Sequence, residues 1–158
     1  MNPNLGHTVT DLTLRSVCHK DTIEVIAEHF HLLQRLHIKF PVFVKSEADG
    51  IITSRMMSSL SQLTHLRVLI LEQAQILPQL LDTAPHRALS SVESFQLLKL
   101  FNNKSNFPLE LFCRTFAQYI PNVRELVVQC KKGPIRLTDK QIETNLKLFT
   151  KLQKHRFL

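Results

Sequence analysis

A pattern of apolar–x–x–apolar–x–apolar positions recurs along the 158 residues of the chain. It is clear in "LRVLIL" at residues 66–71 and in "VRELVV" at residues 123–128. The six occurrences begin at positions 9, 33, 66, 92, 123 and 152, at spacings of 24, 33, 26, 31 and 29 residues. The last two apolar positions of each occurrence alternate with a variable one, which predicts a short strand with one buried face.

Apolar residues with helical spacing lie between most of these strands. In residues 21–33, Asp21 and Glu24 suit the N-terminus of the predicted helix. Thr138 and Gln141 form a T-x-x-Q capping box at the start of another. Weaker helical stretches are predicted at 51–63 and at 76–89, the second broken by Pro78 and Pro85.

The repeating unit is therefore strand, loop, helix, loop. One such unit cannot bury both its strand and its helix, whereas a stack of units builds a continuous core. Connections of this length suit parallel strands. The sequence predicts an α/β chain with a parallel sheet on one side and the helices outside it. Residues 41–50 are interpreted as an inserted loop that lengthens the second unit.

The repeats resemble the long, helix-containing class of leucine-rich repeats, as in ribonuclease inhibitor and the F-box/leucine-rich-repeat proteins. The resemblance covers about residues 9–158 and implies a right-handed solenoid with a concave sheet face and a convex helical face. The chain departs from the family where an asparagine or cysteine normally follows the strand. That position holds Val17, Pro41, Ala74, Leu100 and Lys131. The departure is typical of a degenerate repeat set, closer to F-box-type arrays than to ribonuclease inhibitor.

The stretch "FPLELFCRTFAQYI" at residues 107–120 also resembles the opening of an F-box, with Pro108 and Glu110 ahead of apolar residues at helical spacing. The later Cys-x-x-Trp region of that family has no counterpart, because the chain contains no Trp. A shift of 90 residues instead lays the helix and strand of residues 26–38 on those of residues 116–128. We therefore interpret the stretch as the helix of one repeat, followed by the strand of the next, with Pro108 opening the helix.

Composition adds a charge asymmetry. Residues 124–158 hold 9 Lys or Arg against 3 Asp or Glu, so most of the net charge of +7 lies at this end.

Cys18, Cys113 and Cys130 are far apart, which favours reduced, mostly buried thiols. The chain has no apolar run of membrane-spanning length and begins without a signal-peptide pattern, which favours an intracellular location in cytoplasm or nucleus.

Catalytic and metal motifs are not recognisable in the sequence. Three glycines cannot form a phosphate-binding loop, and His29 and His31 point to different sides of the predicted helix. We expect no enzymatic activity, no cofactor and no metal site.

A surface is the better functional candidate, because the residues between the buried anchors share the other face of the sheet, where leucine-rich-repeat proteins usually bind partners. Arg15, Arg35, His37 and Lys39 form a candidate basic patch on the first two strands. Val68 and Ile70 are expected to be exposed apolar residues unless a partner or a loop covers them. The full set of candidate partner-binding residues is Asp11, Thr13, Arg15, Arg35, His37, Lys39, Val68, Ile70, Glu72, Gln96 and Glu125.

The predicted function is protein–protein interaction. The resemblance implies the substrate-recognition part of an F-box type ubiquitin ligase, with the adaptor bound only if an F-box lies outside this chain. We interpret the 158 residues as a single domain that is a fragment or short isoform of a longer array. A basic nucleic-acid-binding module using residues 124–158 and a ribonuclease-inhibitor-like regulator are the alternatives.

Overall fold

A computed structural model describes residues 5–16, 21–41, 50–81, 83–101 and 107–158. Eight strands lie within these ranges: β1 Asp11–Arg15, β2 Arg35–Lys39, β3 Ile51–Ile52, β4 Val68–Glu72, β5 Gln75–Ile76, β6 Ser94–Leu100, β7 Glu125–Cys130 and β8 Lys154–Phe157. The helices are α1 Thr22–His29, α2 Ser54–Leu60, α3 Pro78–Leu81, α4 Leu109–Tyr119 and α5 Asp139–Leu146, and a 3-10 turn spans Leu5–His7.

Six strands form one parallel sheet in the order β1-β2-β4-β6-β7-β8. Each of these strands therefore lies beside the one that precedes it in the recurring pattern. β3 and β5 form a separate two-stranded parallel sheet just beyond the ends of β2 and β4. The predicted α/β class and parallel sheet are confirmed, and the structure adds the small second sheet.

The buried anchors of the pattern pack against the helices in one core. Leu36, Leu69, Phe95 and Leu126 are completely buried, and they share the core with apolar residues from α1 to α5. Phe116 of α4 stacks on Phe95 with 5.4 Å between ring centroids. The helices consequently cover one face of the sheet, and we call the other face the open face.

The same turn joins helix to strand five times. In each turn the carbonyl of an apolar residue accepts a hydrogen bond from the backbone N–H of the residue three positions later in the chain, at 3.0–3.3 Å. The acceptors are Phe30, Leu63, Leu89, Ile120 and Phe149, and the donors are Leu33, Leu66, Val92, Val123 and Leu152. These acceptors extend the recurring pattern by one apolar position, three residues before its first anchor.

A second recurring feature lies at the amino ends of the strands. A carbonyl just before each of the first five strands of the large sheet accepts hydrogen bonds from two backbone N–H groups at the start of the next strand in the sheet, at 2.7–3.0 Å. The acceptors are Thr10, Gln34, Arg67, Glu93 and Arg124. This ladder fixes the neighbouring units at the spacing of parallel strands, about 4.8 Å.

The helix ends agree with the sequence in part. Thr138 and Gln141 form the predicted capping box, with the Gln141 backbone N–H donating to Thr138 Oγ1 at 3.2 Å. Pro108 stands directly before α4, as predicted. Asp21 occupies the N-cap position of α1, but its side chain makes no capping hydrogen bond there, so that part of the prediction is wrong.

The predicted helical stretch at 76–89 and the predicted loop at 41–50 have different outcomes. Among the described residues of the stretch at 76–89, the four-residue α3, which starts at Pro78, is the only helix. The inserted loop predicted at 41–50 falls mostly on residues 42–49, which lie outside the described residues. Within the described ranges, no helix combines the length and the apolar character that a membrane crossing requires.

Candidate functional site

The open face presents three rows of side chains across the sheet, in the register that the sequence pattern predicts. Thr13, His37, Ile70 and Gln96 lie opposite one another in the central row, which continues through Val127 to Arg156. The flanking rows join Asp11, Arg35, Val68, Ser94, Glu125 and Lys154 on one side and Arg15, Lys39, Glu72 and Leu98 on the other. All eleven predicted site residues therefore belong to one surface.

A β-bulge in β6 changes the end of the flanking row that contains Lys39 and Glu72. Leu97 pairs with Val128 and Leu100 with Cys130, so Leu98 and Lys99 both lie opposite Gln129. Lys99 has a φ of 51°, in the left-handed region that side chains rarely adopt. The bulge brings the Lys99 ammonium group to the carboxylate of Glu72, and the sequence pattern gave no sign of this contact.

Glu72 is the centre of a charge cluster on the open face. Its Oε1 accepts from Lys99 Nζ at 2.8 Å and lies 3.3 Å from Lys39 Nζ, while Oε2 is 3.2 Å from His37 Nε2. The Glu72 side chain is only 10% exposed. Burial raises the pKa of Glu72, but hydrogen bonds and positive charge from Lys99 and Lys39 outweigh burial, and the net pKa lies below its usual range.

The side chains of the predicted basic patch on the first two strands consequently lie near two different carboxylates, those of Glu72 and Asp11. His37 and Lys39 face Glu72, and Arg35 lies 3.9 Å from Asp11 in a half-exposed ion pair. Arg15 is exposed beside Lys39 in the register. The four side chains lie close together as predicted, but three of them have an acidic neighbour.

The expectation that Ile70 is exposed is wrong. Ile70 is 5% exposed, because it lies between His37 and Gln96 of the neighbouring strands at the same level of the sheet. Val127 is buried in the same row at 3%, whereas Val68 is only half-buried. The central row therefore buries two apolar side chains on either side of Gln96, and polar and charged side chains make up most of the exposed surface of the open face.

A polar network occupies the middle of the first flanking row. Ser94 Oγ donates to Glu125 Oε2 at 3.0 Å, and Gln96 Nε2 donates to Ser94 Oγ at 3.4 Å. These bonds link two adjacent strands and orient the carboxylate of Glu125 along the face.

The nucleophilic side chains of the described residues are poorly suited to covalent chemistry. Burial raises the pKa of the Cys113 thiol to about 12, and it also raises the pKa of Cys130. Both thiols are free, and they are largely protonated at neutral pH. Cys18 lies outside the described residues. In the part of the chain that the structure describes, no group of three or more His, Cys, Asp or Glu residues could hold a metal ion.

The structure shows a groove at the amino ends of the strands that the sequence pattern did not predict. It has a volume of about 350 Å³, and its charged lining residues are Arg67, Glu93, Arg124 and Lys151. These residues precede the strands instead of lying within them, so a pattern based on strand anchors does not select them. We call this surface the amino-edge groove.

No protein-family model matches the chain, and no curated protein sequence matches it. Function is therefore inferred from the repeat pattern and from the geometry of the two surfaces.

Proposed function

We propose that the chain is a leucine-rich-repeat type solenoid that binds a protein partner on the open face of its sheet and has no catalytic role. One observation carries this proposal: six parallel strands in chain order present in-register rows of side chains on the face opposite the helices of the described residues. The five repeated turns and the carbonyl ladder support the solenoid, because each unit repeats the same connections to its neighbour.

The composition of the open face suits protein recognition. Val68 keeps part of its apolar surface exposed beside the Arg35–Asp11 ion pair, and protein interfaces likewise combine apolar surface with a polar rim. The face also exposes side chains that are fixed by neighbours, such as Glu125 with Ser94, so little ordering is needed when a partner binds.

From the resemblance alone we further propose that the partner is a substrate of an F-box type ubiquitin ligase. Fold-level likeness is the warrant for this step, and the site geometry is neutral toward it.

The nucleic-acid alternative has weaker support. The cations of residues 124–158 lie on several surfaces: Arg124 and Lys151 line the amino-edge groove, Lys132 follows the carboxyl end of β7, Lys147 is the C-cap of α5, and Arg156 lies on the open face. Lys147 is also close to Glu143, at 3.6 Å. These positions do not make one continuous basic track, which backbone recognition of a nucleic acid would use.

The test is affinity purification with quantitative mass spectrometry of three forms of the chain. Arg15→Glu/Arg35→Glu reverses two exposed charges of the open face and leaves Glu72 and its partners intact. Lys132→Glu/Arg136→Glu is the matched control, because both residues are exposed and make no ion pair among the described residues.

We expect a defined set of proteins to be recovered with the wild type and the control but lost with the open-face variant, while circular dichroism is unchanged. Equal recovery by all three forms would contradict the use of this face. Recovery of cullin components in the wild-type set is required for the ubiquitin-ligase step, and their absence would remove that step alone.

A further inference from the structure

The amino-edge groove differs from the open face in the state of its cations. On the open face, Lys39 and Lys99 share the carboxylate of Glu72. In the groove, Arg67, Arg124 and Lys151 are exposed and make no ion pair with any described residue. The groove therefore brings together, at the amino ends of the strands, three cations that pair with no carboxylate of the described residues.

Backbone hydrogen bonds fix the main-chain positions of Arg67 and Arg124 relative to each other. The carbonyl of Arg67 accepts from the backbone N–H groups of Glu93 and Ser94 at 2.8 and 3.0 Å. The carbonyl of Glu93 accepts in the same way from Arg124 and Glu125 at 2.7 and 3.0 Å. Arg67, Glu93 and Arg124 therefore occupy the same position in three successive units, so Arg67 and Arg124 lie two strand spacings apart, about 10 Å.

Polar contacts from the helix–strand turns shape the wall of the groove. Asn122 Nδ2 donates to the Ser90 carbonyl at 2.6 Å, and Ser91 Oγ donates to the Leu63 carbonyl at 3.3 Å. The volume of about 350 Å³ is large enough for one or a few side chains of a bound segment.

We propose that the amino-edge groove binds an acidic peptide segment, with carboxylates on Arg67 and Arg124 and an uncharged stretch passing Glu93. A peptide in the polyproline II conformation has three residues per turn and advances about 3.1 Å per residue. The side chains of residues i and i+3 then lie on the same side of the peptide, about 9 Å apart, close to the spacing of the two arginine residues. Guanidinium groups bind carboxylates through paired hydrogen bonds. Lys151 supplies a third cation at the β8 side of the groove.

The carboxylate of Glu93 favours a peptide over a nucleic acid. It lies in the row between the two arginines, where a continuous run of backbone phosphates would have to pass. A peptide avoids this repulsion by placing neutral residues there. The inference is independent of the proposed function, because it concerns a different surface and needs no partner on the open face.

Fluorescence anisotropy with synthetic probes tests the proposal. The main probe is a labelled glycine–serine peptide with glutamate at every third position, and a second probe has the same composition with its glutamates adjacent. A labelled single-stranded oligodeoxynucleotide of the same length is the third. We expect the spaced peptide to bind more tightly than the clustered one, and to weaken between about 50 and about 200 mM NaCl.

Three variants separate the groove from general electrostatics. Arg67→Glu/Arg124→Glu should weaken the spaced peptide about tenfold or more, since it reverses two contacts. Lys132→Glu/Arg136→Glu makes the same change in net charge elsewhere and should alter affinity less than about twofold. Glu93→Gln should tighten the clustered peptide several-fold, a gain that an unfolded variant would not show.

Equal weakening by the groove variant and the control variant would overturn the proposal, because only net charge would then matter. Oligonucleotide binding as tight as that of the spaced peptide, and lost in the groove variant, would overturn it in favour of a phosphate-backbone site. Unchanged or weaker peptide binding by Glu93→Gln would also contradict it.

Discussion

The carboxylate of Glu72 lies within hydrogen-bond or ion-pair distance of Lys39 and His37 on β2 and of Lys99 on β6. Its pKa is lowered because Lys99 and Lys39 favour the charged form more than burial opposes it. A carboxyl group with a lower pKa in the folded chain binds fewer protons than in the unfolded chain at moderately acidic pH. The stability that Glu72 contributes is therefore present above its unfolded pKa and is lost as pH falls through its lower folded pKa.

We expect Glu72→Gln to be less stable than the wild type at about pH 7, with the difference closing as the pH drops below the ordinary glutamate value of about 4.3. Urea denaturation of both proteins at several pH values between about 7 and about 3 measures this difference. Asp11→Asn is a suitable control, because Asp11 is exposed and forms only a half-exposed ion pair. A stability gap that stays constant over the pH range would contradict the assignment.

The sequence was sufficient to place the members of this cluster on one face, but not to join them. Glu72, Lys39 and His37 follow from alternation and register, since buried anchors fix both. The position of Lys99 does not follow from alternation and register, because its contact depends on one extra residue in β6 that does not change the apolar pattern. Ile70 was predicted to be exposed because alternation gives the face of a residue but not the size of its neighbours.

At the scale of elements, α4 shows how the pattern determines packing. Phe116 is fully buried and contacts three other rings: Phe112 at 4.5 Å, Phe95 at 5.4 Å and Tyr119 at 6.0 Å between centroids. Because Phe95 belongs to β6, this cluster joins the helix to the sheet. The amphipathic spacing of residues 107–120 predicts the helix, but the ring cluster requires the strand to be in place.

We expect Phe116→Ala to lower the free energy of unfolding by about 3–5 kcal/mol, through lost burial and an unfilled cavity. Leu111→Ala on the same helix is the matched control. Leu111 is only half-buried, so this change should cost clearly less. Chemical denaturation followed by circular dichroism gives both values, and equal losses would show that the ring cluster is not a main contact between α4 and the sheet.

Strand positions were more predictable than the short elements. The four inner strands of the large sheet, β2, β4, β6 and β7, each carry two alternating buried anchors, and this is a strong local signal. The two-residue strands β3 and β5 lack that signal, and they form where Gln75 N–H reaches the Gly50 carbonyl at 2.8 Å. The amino-edge groove was missed for a related reason: its residues become neighbours only when the carbonyl ladder closes.

At the scale of the whole molecule, burial is uneven along the stack. In β7, Leu126, Val127 and Val128 are buried, and the strand is paired on both sides. In β8, Lys154, His155 and Arg156 are exposed, and Phe157 is only half-buried at the last position of the sheet. α5 buries Leu146 alone among its own residues, with Phe149 just beyond its end.

This gradient predicts uneven local stability. Each strand of the sheet pairs only with its sequence-order neighbours, so loss of β8 and α5 leaves the pairing of β6 with β7 intact. Native-state hydrogen exchange, read by mass spectrometry, should therefore show faster exchange for amides of Lys154–Phe157 than for amides of Glu125–Cys130. The Leu158 N–H bond to the Val128 carbonyl should open with the faster group.

A single substitution distinguishes local opening from global unfolding. Phe149→Ala removes a buried contact beside β8, so it should speed exchange of Lys154–Phe157 while leaving β4 amides nearly unchanged. Phe116→Ala should speed exchange in β6 and β7 as well, because the stacked rings of Phe116 and Phe95 join α4 to the centre of the sheet. If Phe149→Ala accelerated all strands equally, the molecule would unfold as one unit, and the nearest-neighbour character inferred from the strand order would be wrong.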